Sequence, residues 1–344
     1  MGLTLIKNVH CYTPENVGKK DILIGGEEII AMDDQIDIQF TDMKVIDGTG
    51  KMALPGFIDN HVHIIGGGGE AGFSSRTPEL HISDAIQAGV TTVVGVIGTD
   101  GTTRLMTSLV AKARGLEEQG MTAFVHTGNY QVPVRTCTGS ITDDIILIDK
   151  IIGSGEIAIS DHRSSQPTIN ELAKIASETR VGGMLAGKAG VVNIHVGDGK
   201  DGLHLLRQIV QETEIPITQF LPTHINRNPS LFQEGIDYAL AGGYVDFTTS
   251  TTPEFIEEGE VPATKAVKKM LGAGVSIDAM TMSSDAQGSL PNYNDKGELV
   301  GFNVAPIDSL YASFKELVLE AQVPLEDAIK TVSTNPANIL KLKK

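Results

Sequence analysis

Pro55-Gly-Phe-Ile-Asp-Asn-His61-Val-His63 divides two styles of sequence. Before it, residues 1–55 hold TLIKNVHCY, DILIGG, EIIAM and KVID, short alternating runs bounded by Gly, Asp, Asn or Pro. These predict the strands of a small N-terminal β domain. From Phe57 onward, apolar strand-like runs alternate with helical patterns. The strand runs are FIDNHV (57–62), VTTVVGVI (90–97), MTAFVHTG (121–128), EIAIS (156–160), VVNIHV (191–196), FLPTH (220–224), YVDFTTS (244–250) and IDAMTMSS (277–284). They are apolar on both faces and rich in Val and Ile, as parallel strands covered on both sides must be. Helical stretches such as TRLMTSLVAKARGLEEQG and PATKAVKKMLGAG separate them, and several stop at Gly.

Eight such units over about 250 residues predict an α/β fold, a (β/α)8 TIM barrel spanning residues 56–334. A doubly wound sheet is the alternative. It normally carries a dinucleotide fingerprint at an early turn, and the Gly66–Gly69 run lacks the GxGxxG spacing. Segments 306–321, 324–333 and 335–342 read as closing helices, with 335–344 forming a C-terminal unit.

Composition narrows the function. The chain has 344 residues and a formal net charge of −16, with a pI near 4.9. Such a surface repels nucleic acid and anionic membrane, so neither is an expected partner. The two cysteines, Cys11 and Cys137, cannot build a disulfide framework. No apolar run reaches the ~18 residues of a membrane span, and the N-terminus lacks the basic-then-apolar order of a signal peptide. The expected location is cytoplasmic.

Barrel active sites lie at the C-terminal ends of the strands. His61 and His63 end the first strand as His-Val-His, and residues i and i+2 on a strand share a face. His195 ends the fifth strand, His224 ends the sixth, and Asp285 follows the eighth. Glu156 opens the fourth. Four histidines and two carboxylates at one barrel mouth point to two divalent ions, with Glu156 as the bridging ligand. Zinc suits this set, and Mn, Co and Ni remain open. His10, His81 and His204 read as surface or packed histidines. His126 and His162 lie near strand ends without supporting partners, His162 being a candidate to support a ligand. The run Glu254, Glu257, Glu258, Glu260 reads as a solvated face. Cys137 has no adjacent base and reads as a small apolar residue.

Several separate motifs carry a resemblance. Pro55 to His63 resembles the opening strand of the amidohydrolase superfamily. Four longer strings narrow it: His63-Ile-Ile-Gly-Gly-Gly-Gly-Glu70-Ala-Gly, Ser160-Asp-His-Arg163-Ser, Leu221-Pro-Thr-His224-Ile-Asn-Arg227-Asn and Ser283-Ser-Asp285-Ala-Gln-Gly-Ser289. Together they resemble the isoaspartyl dipeptidases, from about residue 3 to residue 341. The resemblance implies a TIM barrel of the amidohydrolase type. It also implies hydrolysis of β-aspartyl dipeptides by a hydroxide bridging two zinc ions. His61 and His63 then bind the more buried ion, and His195 and His224 the more exposed one. Asp285 binds the buried ion and shuttles the proton. Glu70 meets the substrate's α-amino group, Arg163 and Arg227 clamp carboxylates, and Tyr130 polarises the scissile carbonyl. Thr99, Ser289 and the Gly68 backbone complete the pocket. A homo-oligomer is also expected.

Two departures from the family pattern stand out. The family's bridging ligand is a carboxylated lysine, and here that position is Glu156, in a Gly153-Ser-Gly155-Glu156 run one residue longer. Glutamate keeps the charge on a shorter arm, so the backbone must come closer, which Gly155 permits. Relatives also continue past Asn335-Pro-Ala-Asn-Ile-Leu, so the N-terminal β domain is expected to lack its C-terminal strands and to expose edges. Two other functions compete: a ring-opening cyclic amidohydrolase of the dihydroorotase or hydantoinase kind, and a non-catalytic scaffold. Glu70, Arg163 and Arg227 together match the charges of a small zwitterionic substrate.

Overall fold

The structure, a computed structural model, describes residues 2–294 and 299–342. The chain opens with β1 (Leu3–Tyr12), β2 (Asn16–Gly25), β3 (Glu28–Asp33), β4 (Lys44–Asp47) and β5 (Met52–Ala53). β1 pairs antiparallel with β2, and β2 with β3, while β4 and β5 run parallel to β1. Leu5, Leu23 and Ile36 form one small apolar cluster, and Val9, Cys11 and Ile22 another. Ile29, Ile30, Val45 and Met52 of this sheet are exposed.

The barrel strands are β6 (Phe57–Val62), β7 (Val90–Gly95), β8 (Thr122–Thr127), β9 (Ile151–Ile159), β10 (Val191–Val196), β11 (Phe220–Thr223), β12 (Val245–Thr248) and β13 (Met280–Ser283). Every residue of β6, β9 and β10 is buried, as strands covered on both faces require. Helices α1 (Ile82–Gln87), α2 (Met106–Glu118), α3 (Ile141–Leu147), α4 (Ile169–Ala186), α5 (His204–Glu212), α6 (Pro229–Leu240), α7 (Pro253–Glu257) and α8 (Ala263–Gly272) lie between them. Local signals set their ends. Thr168 and Glu171 make a capping box on α4, Gly187 closes it with φ 67°, and Asn228 caps α6 ahead of Pro229.

Two features differ from the sequence reading. Glu156 does not open the fourth strand, because β9 begins five residues earlier at Ile151. The Gly153-Ser-Gly155 run, placed ahead of the strand in the sequence reading, is part of it. Second, β14 (Ser289–Tyr293) and β15 (Leu299–Val304) form an antiparallel hairpin between the barrel and the closing helices α9 (Ser309–Leu319), α10 (Leu325–Ile329) and α11 (Asn335–Ile339). Lys343 and Lys344 of the expected C-terminal unit lie outside the described residues. Among the described residues, no helix is long and apolar enough to cross a membrane.

β6 to β11 form one parallel sheet in chain order, and β12 pairs with β13. The two seams between these sheets are crossed by isolated backbone bonds. Ile225 N donates to Asp246 O (3.2 Å), and His63 N donates to Ala286 O (2.9 Å). The buried carboxylate of Asp246 on β12 adds side-chain bonds across both. It accepts from Thr223 Oγ1 (2.6 Å) on β11, Thr281 Oγ1 and Ser283 Oγ (2.5 Å each) on β13, and Asn60 Nδ2 (3.3 Å) on β6. Asp59 adds a further link by accepting from the Ser284 amide and hydroxyl. Asp246→Ala strips four buried donors of their acceptor, at about 1–3 kcal/mol for each one left unmet. Denaturant unfolding of the metal-free variant should show a loss of at least about 3 kcal/mol, and a loss under about 1 kcal/mol would contradict this role.

Candidate metal centre and substrate pocket

His61 and His63 project from the end of β6, both buried. Glu156 Oε2 lies 3.2 Å from His61 Nε2 and 3.3 Å from His195 Nδ1, and its Oε1 lies 3.5 Å from His63 Nε2. Asp285 Oδ1 is 3.1 Å from His63 Nε2 and 3.6 Å from His61 Nε2. His224 and Asp285 both take the left-handed backbone conformation, φ 63° and 54°, at the sharp turns that end their strands. Two groups of ligand atoms each fall within 4.8 Å of one another: His61, His63 and Asp285, and His61, Glu156 and His224. His195 belongs to neither group, although it reaches Glu156.

The rings are aimed by partners behind them. Asn193 Oδ1 takes His61 Nδ1 (3.0 Å), and Thr248 Oγ1 meets His224 Nδ1 (2.5 Å), which leaves each Nε2 free for the centre. Burial, aided by nearby Arg227 and the other imidazoles, holds His224 well below the usual histidine range. It is therefore neutral, the form that binds a metal. Among the described residues, His61 Nε2, both Glu156 oxygens and Asp285 Oδ1 are buried without a hydrogen-bond partner. Lone pairs converging on one point without donors are costly unless a cation meets them, and imidazole with carboxylate suits a divalent ion. The residues fit the metal centre.

A bulge delivers Glu156. Against β10, Val192 pairs with Ser154 but Ile194 with Ile157; against β8, Val125 pairs with Ile151 but His126 with Gly153. β9 thus carries an extra residue against each neighbour. Gly155 has φ 136°, and a Cβ there would lie 2.5 Å from Asn193 O. Only glycine lets the backbone approach so closely.

The substrate side has two unequal arginines. Asp161 accepts from Arg163 Nε (3.0 Å) and Nη2 (2.7 Å), so the fork of Arg163 is engaged within the protein. Its Nη1 lies 3.7 Å from Glu70 Oε1. Arg227 Nη1 lies 3.4 Å from His195 Nε2, and among the described residues no carboxylate oxygen is within 4 Å of it. Glu70 accepts from Thr99 Oγ1 (3.1 Å) and Ser289 Oγ (3.4 Å), which brace it. Gly68, with φ 70°, turns the preceding loop where a Cβ would sit 2.5 Å from Ser75 O. The Tyr130 hydroxyl is 2.8 Å from His195 Nδ1. Burial, reinforced by Glu156, pushes this phenol well above its usual range, so it keeps a proton to donate. All these groups line one cavity of about 660 Å³.

Residues 52–344 match the amidohydrolase family. The chain belongs to that family. It is similar to the β-aspartyl dipeptidase of Fervidobacterium islandicum, solved with a β-Asp-Leu dipeptide. The match has a TM-score of 0.90 and 46% identity, over 99% of this chain and 88% of that one. A dihydroorotase of Halalkalibacterium halodurans is 37% identical over 97 residues, 28% of this chain and 22% of that protein. A deacetylase of Agrobacterium fabrum is 23% identical over 357 residues, 99% of this chain and 78% of the relative. The match to the dihydroorotase thus spans about a fifth of its length.

Some residues of this amidohydrolase's site escaped the sequence reading. Gly98 borders the centre, where a Cβ would lie 3.0 Å from His63 Cε1 and 3.2 Å from Glu156 Oε1. Asp161, gripped by the fork of Arg163, also meets His195 Nε2 at 3.0 Å. Burial alone would raise its carboxyl, yet the bonds from His195 and Arg163 hold it well below the usual range. His162, the candidate supporting residue, is 85% exposed, with Nδ1 3.7 Å from Asp161 Oδ1. His126 is fully buried, with neither ring nitrogen partnered. Glu156→Ala should lose bound metal in elemental analysis, while wild-type activity should be indifferent to bicarbonate, since no lysine needs carboxylation. Full metal content in Glu156→Ala would overturn the ligand assignment.

Proposed function

We propose that this amidohydrolase cleaves the β-aspartyl bond of isoaspartyl dipeptides with two zinc ions at the Glu156 centre. The observation that carries the reading is a braced carboxylate, Glu70, sharing one cavity with the metal-competent cluster and an arginine free of carboxylates, Arg227. An isoaspartyl dipeptide offers a free α-amino group for Glu70 and free carboxylates for Arg227. A cyclic amide offers no such amine. Similarity to a dipeptidase solved with β-Asp-Leu supports the same substrate class.

His61, His63 and Asp285 would hold one ion, and His195 and His224 the other, with Glu156 shared. Bound there, the ions supply a water that ionises near neutral pH, its pKa falling from 15.7 to about 7. The protein's own groups do the rest. Asp285, at the mouth of the barrel, receives the water's proton and returns it to the departing amine. The Tyr130 phenol donates to the carbonyl oxygen as charge develops there. Arg163 acts through Asp161, which fixes the His195 ring, while Thr99 and Ser289 hold Glu70 toward the amine. The Gly68 turn lets the backbone approach the substrate.

The zinc-loaded protein should cleave β-Asp-Leu and spare α-Asp-Leu, dihydroorotate and hydantoin. Equal rates on the α and β isomers, or opening of either ring in place of dipeptide cleavage, would overturn the reading. In steady-state kinetics on β-Asp-Leu, Tyr130→Phe should lower kcat by about 10²–10³, the effect of removing one oxyanion donor. Glu70→Gln should act chiefly on KM.

A further inference from the structure

Glu254, Glu257 and Glu258 are exposed, as a solvated acidic face should be. Glu260 departs from them. Its amide donates to Phe255 O (2.8 Å). The next residue, Val261, donates to Asn226 O (2.8 Å) and accepts from Asn226 Nδ2 (3.0 Å). These bonds fasten the end of the α7 loop to the segment that carries Arg227. Among the described residues, Glu260 Oε1 is enclosed without a hydrogen-bond partner, and no lysine or arginine nitrogen lies within 4 Å of the carboxylate. Burial raises its carboxyl to about 7, against smaller opposing effects of Thr251 and Arg227.

Glu260 and Phe255 line the same cavity as Glu70 and the metal cluster. Glu70 follows the first barrel strand, and Arg227 and Glu260 follow the sixth and seventh; Ser289, after the eighth, donates to Glu70. A dipeptide whose α-amino group meets Glu70 and whose departing residue sets its carboxylate on Arg227 brings the side chain of that residue to the loop fastened there, which carries Phe255 and Glu260. An unmet carboxylate oxygen calls for N–H donors. The Phe255 ring, which lines the same cavity, suits the apolar stem of a long basic side chain. The net charge of −16 favours approach of a cation.

We propose that Glu260 is a specificity-determining residue, which receives the cationic end of a lysine or arginine side chain on the departing residue while Phe255 lies along its stem. This rests on the dipeptidase reading. The test compares kcat/KM for β-Asp-Lys and β-Asp-norleucine, which differ at the side-chain terminus, in zinc-loaded wild type and Glu260→Gln. The wild type should favour β-Asp-Lys by about ten-fold, the effect of one charge-assisted hydrogen bond. Glu260→Gln should bring the ratio close to one, and its cleavage of β-Asp-norleucine reports that the variant is folded. An unchanged ratio, or an equal loss on both substrates, overturns the subsite and leaves the dipeptidase reading intact. Failure of wild type to cleave either dipeptide overturns both.

Discussion

A carboxylate enclosed in a barrel among imidazoles, with no aligned hydrogen bond to either oxygen among the described residues, is the constraint on which this site is built. Glu156 is such a group. Burying an unpaired charge is too costly to persist without compensation, so the surrounding structure has to supply cationic charge or give way. Everything adjacent to Glu156 serves the first outcome. The bulge in β9 moves its backbone inward, Gly155 permits the approach, Gly98 leaves room beside Oε1, and Asn193 turns His61 toward it. A divalent ion at that point satisfies the carboxylate and the imidazole lone pairs together.

Asp246 shows the other solution within the same barrel. It is as deeply buried as Glu156, but four donors from three neighbouring strands meet its two oxygens. A carboxylate so saturated has no capacity left for a ligand. It joins strands where backbone pairing is sparse, and so holds β6 and β13 in the register that brings His61, His63 and Asp285 together. The difference between a structural and a functional acid here is the number of donors facing it, not its depth.

That distinction explains which parts of the site were legible in the sequence. His61 and His63 were, because a two-residue period on a strand puts both rings on one face. His195, His224 and Asp285 were, because strand ends in an eight-unit barrel share one mouth. The extra residue at Gly153-Ser-Gly155 was legible as a run one longer than the family pattern, but not that it enters as a strand bulge, which depends on the pairing with β8 and β10. Asp161 and Glu260 were hidden for a related reason. Adjacent charges and acidic runs look alike whether they fold inward or outward, and the decision comes from contacts with Asn226, Phe255 and His195 that are distant in sequence. The β14–β15 hairpin went unread because its two short strands lack the helix-flanked pattern that marked the barrel.

The two arginines then divide the labour that the sequence assigned to both. Arg163 belongs to a polar chain running from Glu70 through Asp161 and His195 to Tyr130, with successive separations of 3.7, 2.7, 3.0 and 2.8 Å. Such a chain ties the group proposed to recognise the substrate's amine to the phenol proposed to polarise its carbonyl. Arg227 touches the chain only at His195 Nε2 (3.4 Å) and, with no carboxylate within 4 Å among the described residues, has its charge open for the substrate carboxylate proposed above. A substrate without the amine would leave Glu70 facing only two hydroxyls and one distant guanidinium. Sites built around a polar group reject ligands that leave it unpaired far more strongly than apolar pockets reject a missing methylene. On that ground the proposed preference for zwitterionic dipeptides over cyclic amides rests on Glu70 rather than on the metal-competent cluster, which both substrate classes would share.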